Sequence, residues 1–429
     1  MGLLGPVGIL KSHEIFRVSP KAADGIRLVG HAQTCLREID VGFQKIADMV
    51  AGYKERRPLG GTGRVTVRRA AYALQGQVMK QSGKWPRSGF GSLVLIAAVL
   101  GGGAAAFAYT AGWLSHGRLT PERMIAALAP PGGAPLGHRR NHAKGICFTG
   151  AFEANGNGVE LSRARIFERG QYSAVGRFNL GTPDPNAVDA TARVRGLGLQ
   201  IAAEDGEEWR MALINPPIFA VSTPQAFHEL LIASGKKDPE AMKAFIQSNP
   251  EFAAFATWAK TAPWTGSYAE DAYHGLNSFI FTDARGGERT VRWSLLPAAQ
   301  AVPISQAELE KRGPDFLEQE ITERIRTAGP QRWTMVTTVA DPGDPTADPS
   351  KAWPEGRRTV QVGTLVVQRI EQERDGPCRD INFDPTVLPK GIRVSDDPFP
   401  AARSSVYRKS YDLRAAEAGS YPRTGTTRP

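Results

Sequence analysis

Residues 90–114 run for 25 positions without a charged side chain. This segment constrains the chain more than any other, because a helix of that length can cross about 30 Å of hydrocarbon. Lys80, Lys84 and Arg87 lie just before it, and only Arg118 and Arg123 follow closely. Cationic residues stay on the cytoplasmic side, so the bias predicts a cytoplasmic N-terminus and a bulk domain outside. A cleaved signal peptide is the rival, since the Ala-rich run 104–108 could house a small-residue cleavage site. The span is long for such a signal, which favours an uncleaved anchor. The expected location is therefore a bacterial inner membrane, single-pass, with the folded domain in the periplasm or exported to it.

Charge placement agrees. The formal net charge is +10, and residues 1–89 hold 15 Lys/Arg against 6 Asp/Glu, while the rest of the chain is nearly balanced. A nucleic-acid-binding protein carries its basic surplus on the folded domain itself, so that class is excluded. With 22% charged and 41% hydrophobic residues, the chain is neither disordered nor a polytopic transporter. Three cysteines, Cys35, Cys147 and Cys378, match no zinc or iron–sulfur spacing and allow at most one disulfide. Seven histidines leave little material for a zinc site built from several of them.

Residues 1–78 read as an N-terminal extension without a core pattern. Met79-Lys80 opens the basic-then-apolar segment as a targeting sequence would, so translation from Met79 and a short cytosolic extension, with a helix near 32–53, are equal expectations. Residues 79–114 form the basic flank and anchor or signal, 115–138 a Pro/Gly-rich linker, and 139–429 one folded domain. Alternation predicts strands over 145–153, 174–180, 197–203, 290–296, 333–339 and 359–369. Thr223-Pro224, Asp238-Pro239-Glu240 and Asn249-Pro250-Glu251 each place a cap residue before a proline, which predicts three short helices. A further helix is expected over 305–326, and 343–356 reads as a turn-rich loop. Strands, then helices, then strands predict an α+β fold, an antiparallel sheet or barrel with attached helices.

The chemistry-bearing residues stand at the two ends of this domain. Arg139-Arg140-Asn141-His142-Ala143-Lys144-Gly145 opens it, and Arg403-Ser404-Ser405-Val406-Tyr407 lies near its end. Arg403 and Tyr407 are four apart, hence on one face of a helix. A cation so placed favours a tyrosinate, a hard anionic ligand for ferric haem. Alone, an Arg-x-x-x-Tyr pair is commonplace, and a histidine among basic residues is usually a solvated loop.

The ordered string of motifs gives these residues a context. His142 stands in N-H-A-K-G, and Gly176-Arg177-Phe178-Asn179 follows. Arg195-Gly196-Leu197-Gly198-Leu199, Glu204-Asp205-Gly206 and Asn215-Pro216-Pro217-Ile218-Phe219 come next. Trp353-Pro354, Val362-Gly363-x-Leu365-Val366, Phe383-Asp384-Pro385, Pro389-x-Gly391-Ile392 and Ser395-x-Asp397 lead to Arg403 and Tyr407. From Arg139 to Arg414 this resembles the haem catalase superfamily, whose segments read V-H-A-R-G, V-R-F-S, R-G-F-A-V, T-E-D-G and N-T-P-V-F. Paired aromatics after the Asn motif are reduced to Phe219-Ala220, and only 22 residues follow Tyr407. That shortened pattern resembles catalase-related peroxidases of the short, membrane-anchored type, and it implies larger peroxides and external reductants rather than efficient dismutation.

The resemblance implies a catalase-type antiparallel β-barrel with attached helices, to which the sequence adds one N-terminal transmembrane helix. It implies haem b as cofactor, Tyr407 as the iron ligand held as phenolate by Arg403, and Arg139, Arg177 and Arg414 on the haem propionates. His142 is the implied distal acid–base and Asn215 the donor to bound peroxide. The implied reaction is reduction of hydrogen peroxide and organic peroxides through an oxyferryl state, with a peroxide and an unidentified reductant as partners. The alternatives are a non-catalytic haem carrier and a hydroperoxide-rearranging enzyme on the same fold.

Overall fold

A computed structural model describes residues 87–110 and 118–424. The expected extension 1–78, the start at Met79, the helix at 32–53, Cys35 and the basic flank at Lys80 and Lys84 lie outside the described residues. Two compact units divide the chain, Met1–Ala105 and Ala106–Pro429.

Helix α1, Arg87–Thr110, overlaps the anchor expected over residues 90–114. Among the described residues, however, no helix is long and apolar enough to cross a membrane. Its apolar run is interrupted after Leu100 by Gly101, Gly102 and Gly103, which add no apolar side chain. The fold as described is therefore the barrel and its helices, without a demonstrated span.

Within the second unit, α2, Pro121–Leu128, lies inside the segment read as a linker. Thr120 accepts from the Arg123 N–H at 3.3 Å, Pro121 occupies the first turn, and Met124 and Leu128 are buried. Cap, proline and two inward apolar residues thus make a packed helix of what its Pro/Gly content suggested was a spacer.

Four strands follow: β1 Gly145–Ala154, β2 Gly170–Leu180, β3 Arg195–Ala202 and β4 Glu208–Ile214. The middle of the chain forms α3 Pro224–Gly235, α4 Pro239–Ser248 and α5 Phe252–Thr261. Thr223 and Asp238 cap α3 and α4 as expected. Asn249 instead closes α4 by donating to the Phe245 carbonyl at 3.0 Å, so α5 starts only at Phe252. Strands β5 Tyr273–Thr282 and β6 Glu288–Pro297 come next. The single helix expected over 305–326 is two, α6 Gln306–Leu309 and α7 Phe316–Ala328, broken at Gly313-Pro314. Strands β7 Gln331–Val339, β8 Thr359–Glu371 and β9 Ile392–Val394 lead to the long helix α8, Phe399–Ala416.

Strands β1 to β8 pair antiparallel with their sequence neighbours, β8 pairs back onto β1, and Ile214↔His274 joins β4 to β5. The result is a closed eight-stranded barrel, with β9 added to β5 at Phe279↔Val394. Closure removes the free strand edges an open sheet would expose. At Gly150 the β1–β8 register shifts, and a Cβ there would lie 1.9 Å from the Val366 carbonyl oxygen, so only glycine lets the strands approach.

Period-2 alternation fills the barrel. Trp209, Met211 and Leu213 of β4 point inward with Phe148, Phe152, Phe178, Trp293 and Trp333, all at most 3% exposed. Each such side chain stabilises the fold by about 1.5–3 kcal/mol through burial. The opposite face of β1 to β4 is not left to solvent. Cys147 and Cys378 form a disulfide there, packed with Phe383.

Candidate active site

A cavity lies between that outer barrel face and helix α8. His142, Asn179, Ala212 and Ile214 contribute from the barrel side, and Arg403, Tyr407 and Arg414 from α8. Met124 and Ile125 of α2, with Phe219 and Phe227, close it with apolar surface.

Helical spacing sets the α8 side. Arg403 donates from Nη2 to the Tyr407 phenol oxygen at 2.9 Å and to the Ala212 carbonyl at 3.2 Å. Its Nη1 donates to Asn277 Oδ1 at 2.7 Å, and Asn277 Nδ2 donates to Asp397 Oδ2 at 3.0 Å. Burial raises the Asp397 carboxyl against the lowering effect of that amide. Tyr407, Arg403, Asn277 and Asp397 thus form one chain of hydrogen bonds, with a charge-assisted donor on the phenol oxygen.

Across the cavity, His142 Nδ1 lies 2.6 Å from Asn179 Oδ1. Asn179 Nδ2 donates to the Arg177 carbonyl at 3.2 Å, which fixes the amide orientation. Oδ1 must then accept, so this network assigns the proton to Nδ1 and leaves Nε2 as the base. Burial first, then the Arg177, Arg403 and Arg139 charges, push the His142 ring down to about 4, so it is neutral at pH 7. The Asn179 seat depends on Gly196, where a Cβ would stand 2.3 Å from Oδ1.

One end of the cavity is strongly cationic. Arg139, Arg177 and Arg414 all line it. Arg139 donates to the Cys378 carbonyl at 2.9 Å and the Ile381 carbonyl at 3.2 Å, and Arg414 donates to the Arg379 carbonyl. Arg177 donates to the His142 and Ala143 carbonyls at 2.8 and 3.0 Å. Burial and the neighbouring Arg414 and Arg177 charges depress Arg139 to about 9. Glu373 accepts two bonds from Arg177, at 2.8 and 2.7 Å, and stands 3.4 Å from Arg139.

Six of the seven site residues expected from sequence therefore converge on one cavity. Asn215 is placed differently. Its Oδ1 accepts from the Arg195 N–H at 2.8 Å, which leaves Nδ2 as the donor end, and its side chain is not part of the cavity wall. Sequence reading missed Asn179, Glu373, Asn277 and His274. Asn179 lies inside a quoted motif, where serine stands in the pattern. Glu373 lies in a charged run that carries no signal. His274 lines the cavity with Nδ1 2.8 Å from Ser294 Oγ, and burial lowers it to about 4.

The donor set fits haem. It offers a phenol oxygen under a guanidinium for the iron, an unprotonated imidazole nitrogen opposite, apolar walls between, and three guanidiniums at one end. Glu373 is the carboxylate bonded to this group, and guanidiniums lining a cavity suit anionic groups of a ligand.

Comparison with known proteins agrees with this chemistry. The family profile described as Catalase matches residues 135–419. A catalase-related peroxidase of Synechococcus elongatus is 36% identical over 311 residues, 71% of this chain and 91% of that protein. Another, of Mycolicibacterium paratuberculosis, is 33% identical over 301 residues, 70% of this chain and 96% of that protein. Among solved structures, catalase A from Saccharomyces cerevisiae superposes with a TM-score of 0.58 at 19% identity, covering 65% of this chain and 61% of that one. This last likeness speaks for the fold alone.

Proposed function

The chain belongs to the catalase family, and on that premise we propose that it is a haem b peroxidase. It is an oxidoreductase acting on peroxide, reducing hydrogen peroxide and organic peroxides to water and alcohol with two electrons from an external donor. The observation that carries this reading is the opposition, across one cavity, of a neutral His142 with Nε2 unprotonated and a Tyr407 oxygen held by Arg403.

Bound haem would supply the iron that accepts the peroxide oxygen and passes on the electrons. This chain's residues supply the rest. Tyr407 would ligate the iron, and the Arg403 donor stabilises its phenolate form. His142 would take a proton at Nε2 from the bound peroxide and return it to the departing oxygen. The donor role implied for Asn215 is not carried over, because its side chain stands off the cavity wall; Arg139, Arg177 and Arg414 would hold the propionates as planar carboxylate partners. A carrier has no use for a base with an assigned tautomer, so the peroxidase reading is preferred to it.

The test is to mix purified haem-loaded protein with cumene hydroperoxide, with and without a reducing dye. Cumyl alcohol formed in step with dye oxidation is expected. Haem binding without peroxide turnover would leave a carrier. A rearranged product without dye oxidation would mean a hydroperoxide-rearranging enzyme.

The same reading extends to location. Residues 90–114 would anchor the protein in a bacterial inner membrane, or lead to its export, with the catalytic unit in the periplasm. Two features support this. Val94, Leu95, Ile96, Val99 and Leu100 of α1 are exposed apolar side chains. The Cys147–Cys378 disulfide is of the kind that persists in oxidising compartments.

A further inference from the structure

Glu373 is the carboxylate at the centre of the cationic end of the cavity, yet it is not on the cavity wall. It sits behind the arginines, 11% exposed, and faces an Arg177 that is 1% exposed. Arg177 turns its whole Nε/Nη2 edge onto this carboxylate, at 2.8 and 2.7 Å, and Arg139 approaches it through Nε at 3.4 Å. Arg414 has no carboxylate of its own among the bonds at this end; its Nη1 donates to a backbone carbonyl. The carboxylate is held below its ordinary range because the arginine charges outweigh its burial.

One consequence follows from this geometry. A guanidinium has five N–H donors in a rigid fork, so fixing one edge fixes where the others point. With Nε and Nη2 taken by Glu373 and the Ala143 carbonyl, and one Nη1 hydrogen by the His142 carbonyl, the second Nη1 hydrogen is the donor this fork still has to offer.

We propose that Glu373 is a positioning residue for the cofactor's carboxylates, holding Arg139 and Arg177 from behind. This rests on the haem reading above. Glu373 touches neither substrate nor the reacting atoms, and its effect is confined to how the cluster distinguishes a dicarboxylate from a neutral ligand.

The experiment compares binding of haem and of haem dimethyl ester, whose carboxylates are masked, to the full chain and to Glu373→Gln, by absorbance titration of the apoprotein. The full chain should prefer the free acid. In Glu373→Gln that preference should shrink roughly 10-fold or more, the scale of a lost charged hydrogen bond, while ester affinity stays within about twofold. An unchanged or increased preference overturns the proposal, and so does an equal loss for both ligands. If Glu373→Gln does not fold, Glu373→Asp keeps the charge but withdraws the carboxylate by one methylene. It should show a reduced preference, and a preference equal to that of the full chain again overturns the proposal. Absence of haem binding by the full chain would instead remove the functional reading itself.

Discussion

His142 carries a backbone φ of 54°, a left-handed conformation that costs a non-glycine residue about 1–3 kcal/mol. Such strain persists where surrounding contacts over-determine it, and here Asn179 holds the ring while Arg177 binds the His142 carbonyl. His142→Ala should keep haem, since the Tyr407 side is untouched, yet respond to peroxide roughly 10²–10⁴-fold slower in stopped-flow absorbance. Asn215→Ala should leave that rate nearly unchanged, because the Asn215 side chain stands off the cavity wall. A haem-loaded His142→Ala protein reacting at the full rate would sink the acid–base role. Tyr407→Phe should lose most bound haem and the ferric tyrosinate spectrum. If the spectrum persists, Tyr411, which also lines the cavity, becomes the next candidate. The two buried histidines also set a pH dependence. His142 and His274 both titrate near 4 when folded, against 6.5 as the ordinary value. Their folded values are lowered, so the unfolded chain binds more protons between those limits, and stability is complete above pH 6.5 and lost as pH falls toward 4. The apoprotein melting temperature should drop across that window, and His274→Gln should flatten the drop; an unchanged slope would contradict its neutral burial.

At the scale of elements, the disulfide joins two parts that the cofactor end depends on. Cys147 lies on β1 opposite Arg177 of β2, and Cys378 supplies a carbonyl to Arg139. The bond spans 231 residues of sequence with its Cα atoms 5.4 Å apart. Cys147→Ser with Cys378→Ser should lower the unfolding free energy by about 2–5 kcal/mol, read from denaturant midpoints. An unchanged midpoint would mean that packing alone holds the segment. These elements also show what sequence can and cannot reveal. Six strands were legible because one face alternates apolar and polar. Strand β4 was hidden because Ala212 and Ile214 face the cavity, which makes its outer positions apolar too. Strand β5 was hidden by Gly275, Asn277 and Ser278, where a bulge interrupts its pairing with β6. The same principle explains the site. His142, Arg403 and Tyr407 stand in recognisable local patterns. Glu373 and Asn277 meet their arginines only through long-range folding, 196 and 126 residues away in sequence.

At the scale of the whole molecule, the proposed anchor carries a prediction about the compartment of the barrel. The barrel and its helices account for residues 118–424, and their formal charge is nearly balanced. The surplus sits ahead of residue 90, where Lys80, Lys84 and Arg87 precede the apolar run. If that run anchors the chain, these cations stay in the cytoplasm and the barrel passes to the other side. The disulfide points the same way, because cytosolic thiols are kept reduced. Alkaline phosphatase, itself active only after export, fused after Arg414 should therefore be active, and a reporter that works only in the cytoplasm should be silent at the same position. Replacing Lys80, Lys84 and Arg87 together by Gln should weaken this asymmetry, since it removes the charges that retain the N-terminal side. The opposite pattern, a silent phosphatase and a working cytoplasmic reporter, would remove the envelope assignment and leave the haem chemistry intact, because the residues that line the cavity run from Leu119 to Arg414.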